Sequence, residues 1–213
     1  MLALEDTNRR RAVALLTLSS AGLAALALWA NRRRCPAPCS LGHLRLGRIW
    51  EYDVAPSGAV ETTEVMECWT LPDGRPAFRV DYRRGETVID AVFSRDERGH
   101  LIQLSQSNGT ATFDPPLVGL GKLKVGACWS TTSWMIFPSK FRASSPTELS
   151  GRIVAWESVT VPAGTFQAFR IEQVTNGRPS TTWYAPEVGM VREICGEDDL
   201  LLRRIIDQRR AEA

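Results

Sequence analysis

The chain has 213 residues, 44% of them hydrophobic and 23% charged, ordinary proportions for a globular protein and unlike those of disordered or fibrous chains. That length supports one domain with a sizeable core, or two small ones. The net charge of +2 hides an asymmetry: residues 1–34 carry +4 and the remainder carries −2. The body of the chain therefore lacks a polycationic face, and no nucleic-acid partner is expected.

Residues 1–34 form one unit. Ala12 to Ala30 is 19 residues without a charge, bracketed by Arg9-Arg10-Arg11 and Arg32-Arg33-Arg34. That is about the length that crosses a bilayer core, so the expectation is one N-terminal signal or transmembrane helix with the membrane as its partner. The arginine triplet before an apolar stretch resembles the twin-arginine export signal of bacteria, with Ala12-Val13 in place of the usual bulky pair. The second triplet opposes the general secretory route, while twin-arginine signals commonly carry such charge, as the resemblance implies. Cleavage sites of small residues end at Ala27 and Ala30. Both flanks carry three arginines, so charge alone leaves the orientation open. The expected location is the bacterial inner membrane or beyond it, with the following domain on the periplasmic, extracytoplasmic side.

Residues 35–43 read as a linker, with two prolines and no apolar periodicity. Beyond it the chain reads as β almost throughout: Ile49–Val54, Thr62–Thr70, Ala77–Tyr82, Thr87–Ser94 and Leu101–Ser105, separated by turn-forming residues. Phe78, Val80 and Tyr82 alternate with Arg79, Asp81 and Arg83, the period of a half-buried strand. Asp114-Pro115-Pro116 to Gly121 breaks the pattern. Strand signals resume over Trp129–Thr132, Gly151–Val161, Thr165–Asn176, Ser180–Tyr184 and Met190–Cys195. Leu200–Asp207 is expected as a closing strand, with an amphipathic helix over Leu200–Arg210 as the alternative.

The folded part repeats itself. Leu44-Arg45-Leu46-Gly47-Arg48-Ile49-Trp50 returns as Leu123-Lys124-Val125-Gly126-Ala127-Cys128-Trp129. The segment from Glu67 through Pro72-Asp73-Gly74 to Val80 returns from Glu157 through Pro162-Ala163-Gly164 to Ile171. Phe93, Glu97, Gly99 and Leu101 match Trp183, Glu187, Gly189 and Val191 in spacing. Matches in one order predict a duplicated β unit, with repeats of about 44–110 and 123–196 inside a domain of 44–213. The expected fold is mainly β, a strongly curved antiparallel sheet or incomplete barrel built from two tandem repeats. Trp50 and Trp129 read as the core anchors of the two halves.

The copies differ in length. Trp50 to Glu67 spans 17 residues and Trp129 to Glu157 spans 28, with the excess in Ser133–Ser145. The excess reads as a loop that plugs one end of the barrel or presents a hydrophobic lip to a lipid or protein partner. Trp134, Met135, Ile136, Phe137 and Phe141 are its candidate contact residues.

Chemistry is sparse. No histidine and cysteine pattern completes a metal site, and no cofactor is expected. Cys35 and Cys39 form the one close cysteine pair; Cys68, Cys128 and Cys195 sit in strand-like runs and read as small buried apolar residues. His43 ends the linker and His100 lies in a turn, so neither is expected as a base held in a dry pocket. Glu97 and Glu187, each ahead of a glycine, read as solvated carboxylates beside turns. No nucleophile elbow is present.

Val159-Thr160-Val161-Pro162-Ala163-Gly164-Thr165-Phe166-Gln167-Ala168-Phe169, followed by Trp183-Tyr184-Ala185-Pro186-Glu187-Val188-Gly189-Met190-Val191, resembles an uncharacterised bacterial group of exported and lipoprotein-like β domains. Its members share the phrases V-P-A-G-x-F-x-A and W-Y-A-P-x-V-G-x-V after an opening like Leu44–Trp50. The expected shape is remotely similar to the half-barrel carriers of the bacterial envelope that hold acyl chains, a likeness of architecture. The resemblance implies no catalytic residues. The expectation is a non-enzymatic cell-envelope protein that binds an apolar ligand or a lipoprotein or other protein partner through its β domain. A membrane-anchored structural module and an envelope hydrolase are the alternatives.

Overall fold

The computed structural model of the chain describes residues 43–107, 109–121, 123–137 and 142–208, apart from the side chains of 142–145. The apolar segment 12–30, Cys35, Cys39 and Phe141 lie outside the described residues. Twelve strands are described: β1 Arg48–Ala55, β2 Ala59–Thr70, β3 Pro76–Arg84, β4 Thr87–Arg95, β5 Leu101–Gln106, β6 Ala111–Val118, β7 Cys128–Phe137, β8 Arg142–Val161, β9 Gly164–Thr175, β10 Arg178–Ala185, β11 Gly189–Cys195 and β12 Asp198–Asp207. Each pairs antiparallel with its sequence neighbours, and β12 returns to β1. The result is an up-and-down barrel.

The barrel is closed, which corrects the expectation of an incomplete one. Closure runs along all of β1, from Arg48 opposite Asp207 to Ala55 opposite Asp199. The Leu200–Asp207 segment is thus the closing strand, and pairing it with β1 removes the two open edges that an incomplete barrel exposes. Two other expectations are corrected. Chain 114–121 is no simple break, because β6 runs through Pro115 and Pro116. Both prolines fall between the stretches of β6 that pair with β5, namely Ala111–Thr112 and Leu117–Val118, and beyond the last β7 pairing at Asp114. Their missing N–H groups therefore interrupt no ladder. Of the excess residues 133–145, the described ones lie in strands rather than a loop: β7 continues to Phe137 and β8 starts at Arg142, with Phe137 opposite Arg142.

Register defines an inner and an outer wall, since directly opposed residues share a face. Trp50 opposes Thr63, Val65 opposes Val80, Cys68 opposes Phe78, and Tyr52 opposes Leu202. Trp50, Tyr52, Val54, Val65, Cys68, Phe78, Val80, Val191, Leu200 and Leu202 are each 4% exposed or less and form one packed cluster. A smaller cluster joins Phe113, Leu117 and Leu149, with Met135 against it. The outer wall of β1 and β12 carries cross-strand ion pairs, Glu51–Arg204 at 2.6 Å and Asp53–Arg203 at 3.5 Å, and Arg152–Glu172 links β8 to β9. Such pairs belong on a surface facing water rather than one facing lipid tails.

Both Gly-x-x-Trp turns have one backbone geometry. Gly47 and Gly126 take φ of +75° and +88°, values that glycine adopts without strain. The Gly47 N–H bonds the Val65 carbonyl on β2, and the Gly126 N–H bonds the Ile153 carbonyl on β8. Each acceptor stands directly before a bulge, at Val65/Glu67 and at Ile153/Ala155. Of the cysteines expected to be buried, Cys68 is, whereas Cys128 opens β7 and Cys195 ends β11 on the surface.

Candidate functional site

The phrases that carry the family resemblance meet at the barrel end where β1 begins and β10 turns into β11. The Trp50 indole N–H donates to the Val188 carbonyl at 2.7 Å. Arg48, 7% exposed, donates to both carboxylate oxygens of Asp207 at 2.8 and 3.1 Å and to the carbonyls of His43 and Glu187. The Tyr184 hydroxyl lies 2.6 Å from His43 Nδ1. Gly189 is required here: a Cβ at that position would stand 2.8 Å from the His43 ring.

Burial, reinforced by the charges of Arg48 and Arg95, lowers the His43 pKa to about 4. Burial also raises Tyr184 to about 12. At neutral pH the imidazole is therefore uncharged and the tyrosine keeps its proton, so the two share a hydrogen bond between neutral groups. His43, read from the sequence as the linker's last residue, is half-buried against Tyr184, 141 residues away in sequence. The ring is held edge-on by Trp50 and Tyr184, with centroids 5.8 and 5.2 Å away. The arrangement locks β1 to the β10–β11 turn. His100 remains in its turn, 2.9 Å from Asp96, and Glu97 and Glu187 are exposed as expected.

The opposite end of the barrel carries polar groups on the inner wall. Arg84 bridges Glu61 at 2.8 Å and Asp198 at 2.6 Å. Further in, Glu193 accepts from Thr182 Oγ1 at 3.4 Å, and the Tyr52 hydroxyl donates to the Met190 carbonyl at 3.0 Å. Burial raises the Glu193 pKa, and the nearby Glu61 charge adds to the rise. Burial likewise raises Tyr52 and Tyr82.

Between the two ends, the inner wall of β5 to β9 differs from the packed cluster. Phe93 opposes Gln103, Phe113 opposes Met135, and Gly151 opposes both Trp129 and Gln173. Gln103, Gln106, Trp129, Thr131, Met135 and Gln173 all face inward in register yet are only half-buried. In a closed barrel an inward side chain meets water through the interior or an open mouth, so water reaches the inner wall on this flank. Twelve strands enclose more width than side chains alone fill. The lining is apolar groups, amides and hydroxyls, the mixture found in small-molecule sites.

The predicted contact residues separate. Trp134 lies on the outer wall and is 47% exposed, Met135 points inward against Phe113, Leu117 and Leu149, and Ile136 and Phe137 are half-buried. β-strand alternation splits what the sequence shows as one apolar run. A separate cleft of about 480 Å³ lies where the β2–β3 and β4–β5 turns approach β6, with Ile102 and Val118 in its lining. The rim charges are engaged locally: Asp73 with Arg75 at 2.6 Å, and Asp96 with His100 and the Arg98 N–H. Among the described residues no group of three His, Cys, Asp or Glu side chains is placed to hold a metal ion, and no helix is long and apolar enough to cross a membrane.

Comparison with known proteins gives one family model and two solved structures. A family model described as DUF3108-like matches residues 135–194, from the end of β7 into β11. A Bacteroides fragilis protein assigned as exported, with a YmcC-like fold, shares 14% identity at a TM-score of 0.44, over 76% of this chain and 96% of that one. A Parabacteroides distasonis protein assigned as a lipoprotein shares 16% identity at 0.43, over 78% and 98%. No curated protein matches the chain.

Proposed function

We propose that the chain is a non-enzymatic protein of the bacterial cell envelope, exported or anchored at the inner membrane through residues 12–30, whose barrel binds an apolar ligand in its lumen. One observation carries the ligand reading: Gln103, Gln106, Trp129, Thr131, Met135 and Gln173 face inward yet are half-buried, whereas the cluster from Trp50 to Leu202 on the other side of the closed barrel is 4% exposed or less. The non-enzymatic reading rests on the histidines. His43 serves the lock with Tyr184 and His100 its own turn, so neither faces the lumen residues. The envelope reading rests on the charge-free run between arginine triplets. The two halves, 44–110 and 123–196, are read as tandem copies on the strength of their matching phrases and the shared backbone of the Gly47 and Gly126 turns.

The test has two parts. Native mass spectrometry of the full-length chain from its host should find co-purifying lipid, and a hydrophobic dye should bind and be displaced by it. Absence of both overturns the ligand reading. A reporter fused after Asp207 should be active only outside the cytoplasm; activity restricted to the cytoplasm overturns the envelope reading.

A further inference from the structure

The cleft beside β6 is framed by two turns that are tied together. Arg75 holds Asp73 through Nε and one terminal nitrogen, at 2.9 and 2.6 Å, and its other terminal nitrogen donates to the Arg95 carbonyl at 2.9 Å. In the β4–β5 turn, Asp96 Oδ1 accepts from the Arg98 and His100 N–H groups at 2.9 and 2.7 Å, and the Gly99 N–H bonds the Asp96 carbonyl. The cleft lies outside the barrel wall. Gln103 faces inward opposite Phe93, so its neighbour Ile102, with Val118 opposite, faces out.

Floor and rim offer different chemistry. Ile102, Val118, Pro115 and Pro116 give an apolar floor. The prolines carry no N–H, and the Pro115 carbonyl already accepts from Ser133 Oγ at 2.5 Å. Polar recognition therefore falls to the rim. Asp73, Arg75 and Asp96 are engaged within the turns, Asp96 Oδ2 with His100 Nδ1 at 2.9 Å. Glu97 and Arg98 also line the cleft, and their exposed side chains make no hydrogen bond or ion pair among the described residues. The Arg75 pKa is raised, first by its bonds to Asp73 and further by the charge of Glu97, which therefore acts on this side of the turn.

The two uncommitted charges are opposite in sign and adjacent in sequence. A molecule seated on the floor displaces water from both, and one that carries a single charge leaves the other ion desolvated without a partner, which is unfavourable. We infer that the cleft binds a small zwitterion with an apolar tail, an aliphatic α-amino acid, whose carboxylate pairs with Arg98, whose ammonium pairs with Glu97 and whose side chain lies on Ile102 and Val118. The cleft volume of about 480 Å³ falls in the range of small-molecule sites. The hydrogen bonds within and between the turns hold the frame before the ligand arrives, which limits the ordering cost of binding. This site goes beyond the lumen reading and does not depend on it.

Three matched probes test it on the full-length chain in detergent: L-leucine, isocaproate, which lacks the ammonium, and isoamylamine, which lacks the carboxylate. The readout is the Ile102 methyl resonance of isotope-labelled protein, identified as the one absent from Ile102→Val. It should shift saturably with leucine, and both truncated probes should bind about tenfold more weakly or worse. Arg98→Gln should weaken leucine about tenfold without weakening the amine, and Glu97→Gln should weaken leucine about tenfold without weakening the acid. No shift with leucine up to about 20 mM overturns the site. Equal affinity for the three probes, or full leucine affinity in either variant, overturns the zwitterion assignment. Both substitutions alter exposed side chains that take no part in the hydrogen bonds of the turn, so the variants keep the frame under test. None of these outcomes bears on the lumen, which the lipid and dye experiments decide.

Discussion

Trp50 and Trp129 share a turn and little else. Both follow a glycine of positive φ whose N–H is held by the strand next door. Trp50 is then 2% exposed, packed among the largest apolar cluster, its N–H satisfied. Trp129 is half-buried on Gly151 with its N–H unmade. The difference lies in what the rest of the barrel brings opposite each indole. The first faces β12, β11 and the β10–β11 turn, which closure wraps against β1; the second faces β8 and β9, where Gly151 and Gln173 stand among Leu149, Ile153 and Ile171. One flank serves the frame and the other borders space.

The largest effect should follow from the packed indole. Trp50→Ala is expected to cost about 4 kcal/mol, the range for deleting a buried aromatic, and Trp129→Ala less than half of that. Denaturant unfolding of both variants gives the comparison, and the reverse order would break it.

The lock at the Trp50 end should also respond to pH. His43 has a folded pKa of about 4 against 6.5 in the unfolded chain. Below pH 6.5 the unfolded state takes up a proton that the folded state refuses, so stability present above 6.5 declines as pH falls to about 4, by roughly 3 kcal/mol at most. Glu193 acts with the opposite sign, because burial raises its folded pKa. Its protonation restores stability as pH falls through that raised value. His43→Gln should flatten the decline and Glu193→Gln should steepen it, as read from unfolding midpoints between pH 7 and 4.

On the open flank, Gly151→Ala forces the indole off the strand and is expected to cost about 2 kcal/mol, typical of overpacking, with a change in Trp129 fluorescence. A cost near zero would mean that the ring moves freely and that this flank is looser than register and burial imply. The smallest effect is expected outside both regions. Glu51→Gln should leave the unfolding midpoint within error, since the exposed pair with Arg204 is screened by solvent.

Much of the barrel was legible in the residue order. Alternation around Phe78, Val80 and Tyr82 marks β3, and Phe78 and Val80 are buried as that alternation requires. The paired Gly-x-x-Trp phrases anticipate two turns of equal geometry. Legibility stopped where long-range partners decide the outcome. Prolines at 115 and 116 speak against a strand until the gaps in the β5 and β7 pairings are known. Residues 134–137 read as one apolar patch until pairing with β6 and β8 sends Trp134 out and Met135 in. His43 looks like a linker residue because its partner, Tyr184, is far away in sequence. The matched position of Trp129 promised a core anchor, and nothing local signals that Gly151 would lie beneath it.

Period-two patterning, turn glycines and the internal echo are properties of neighbouring residues, which is why the amino-acid order alone determined an antiparallel β architecture with two similar beginnings. Closure of β12 on β1, the half-buried His43–Tyr184 contact and the contrast between a filled and an open flank depend on pairings between strands far apart in the chain. Those pairings have no local code: they are selected by which inner faces exclude water together, and only the assembled barrel makes that choice.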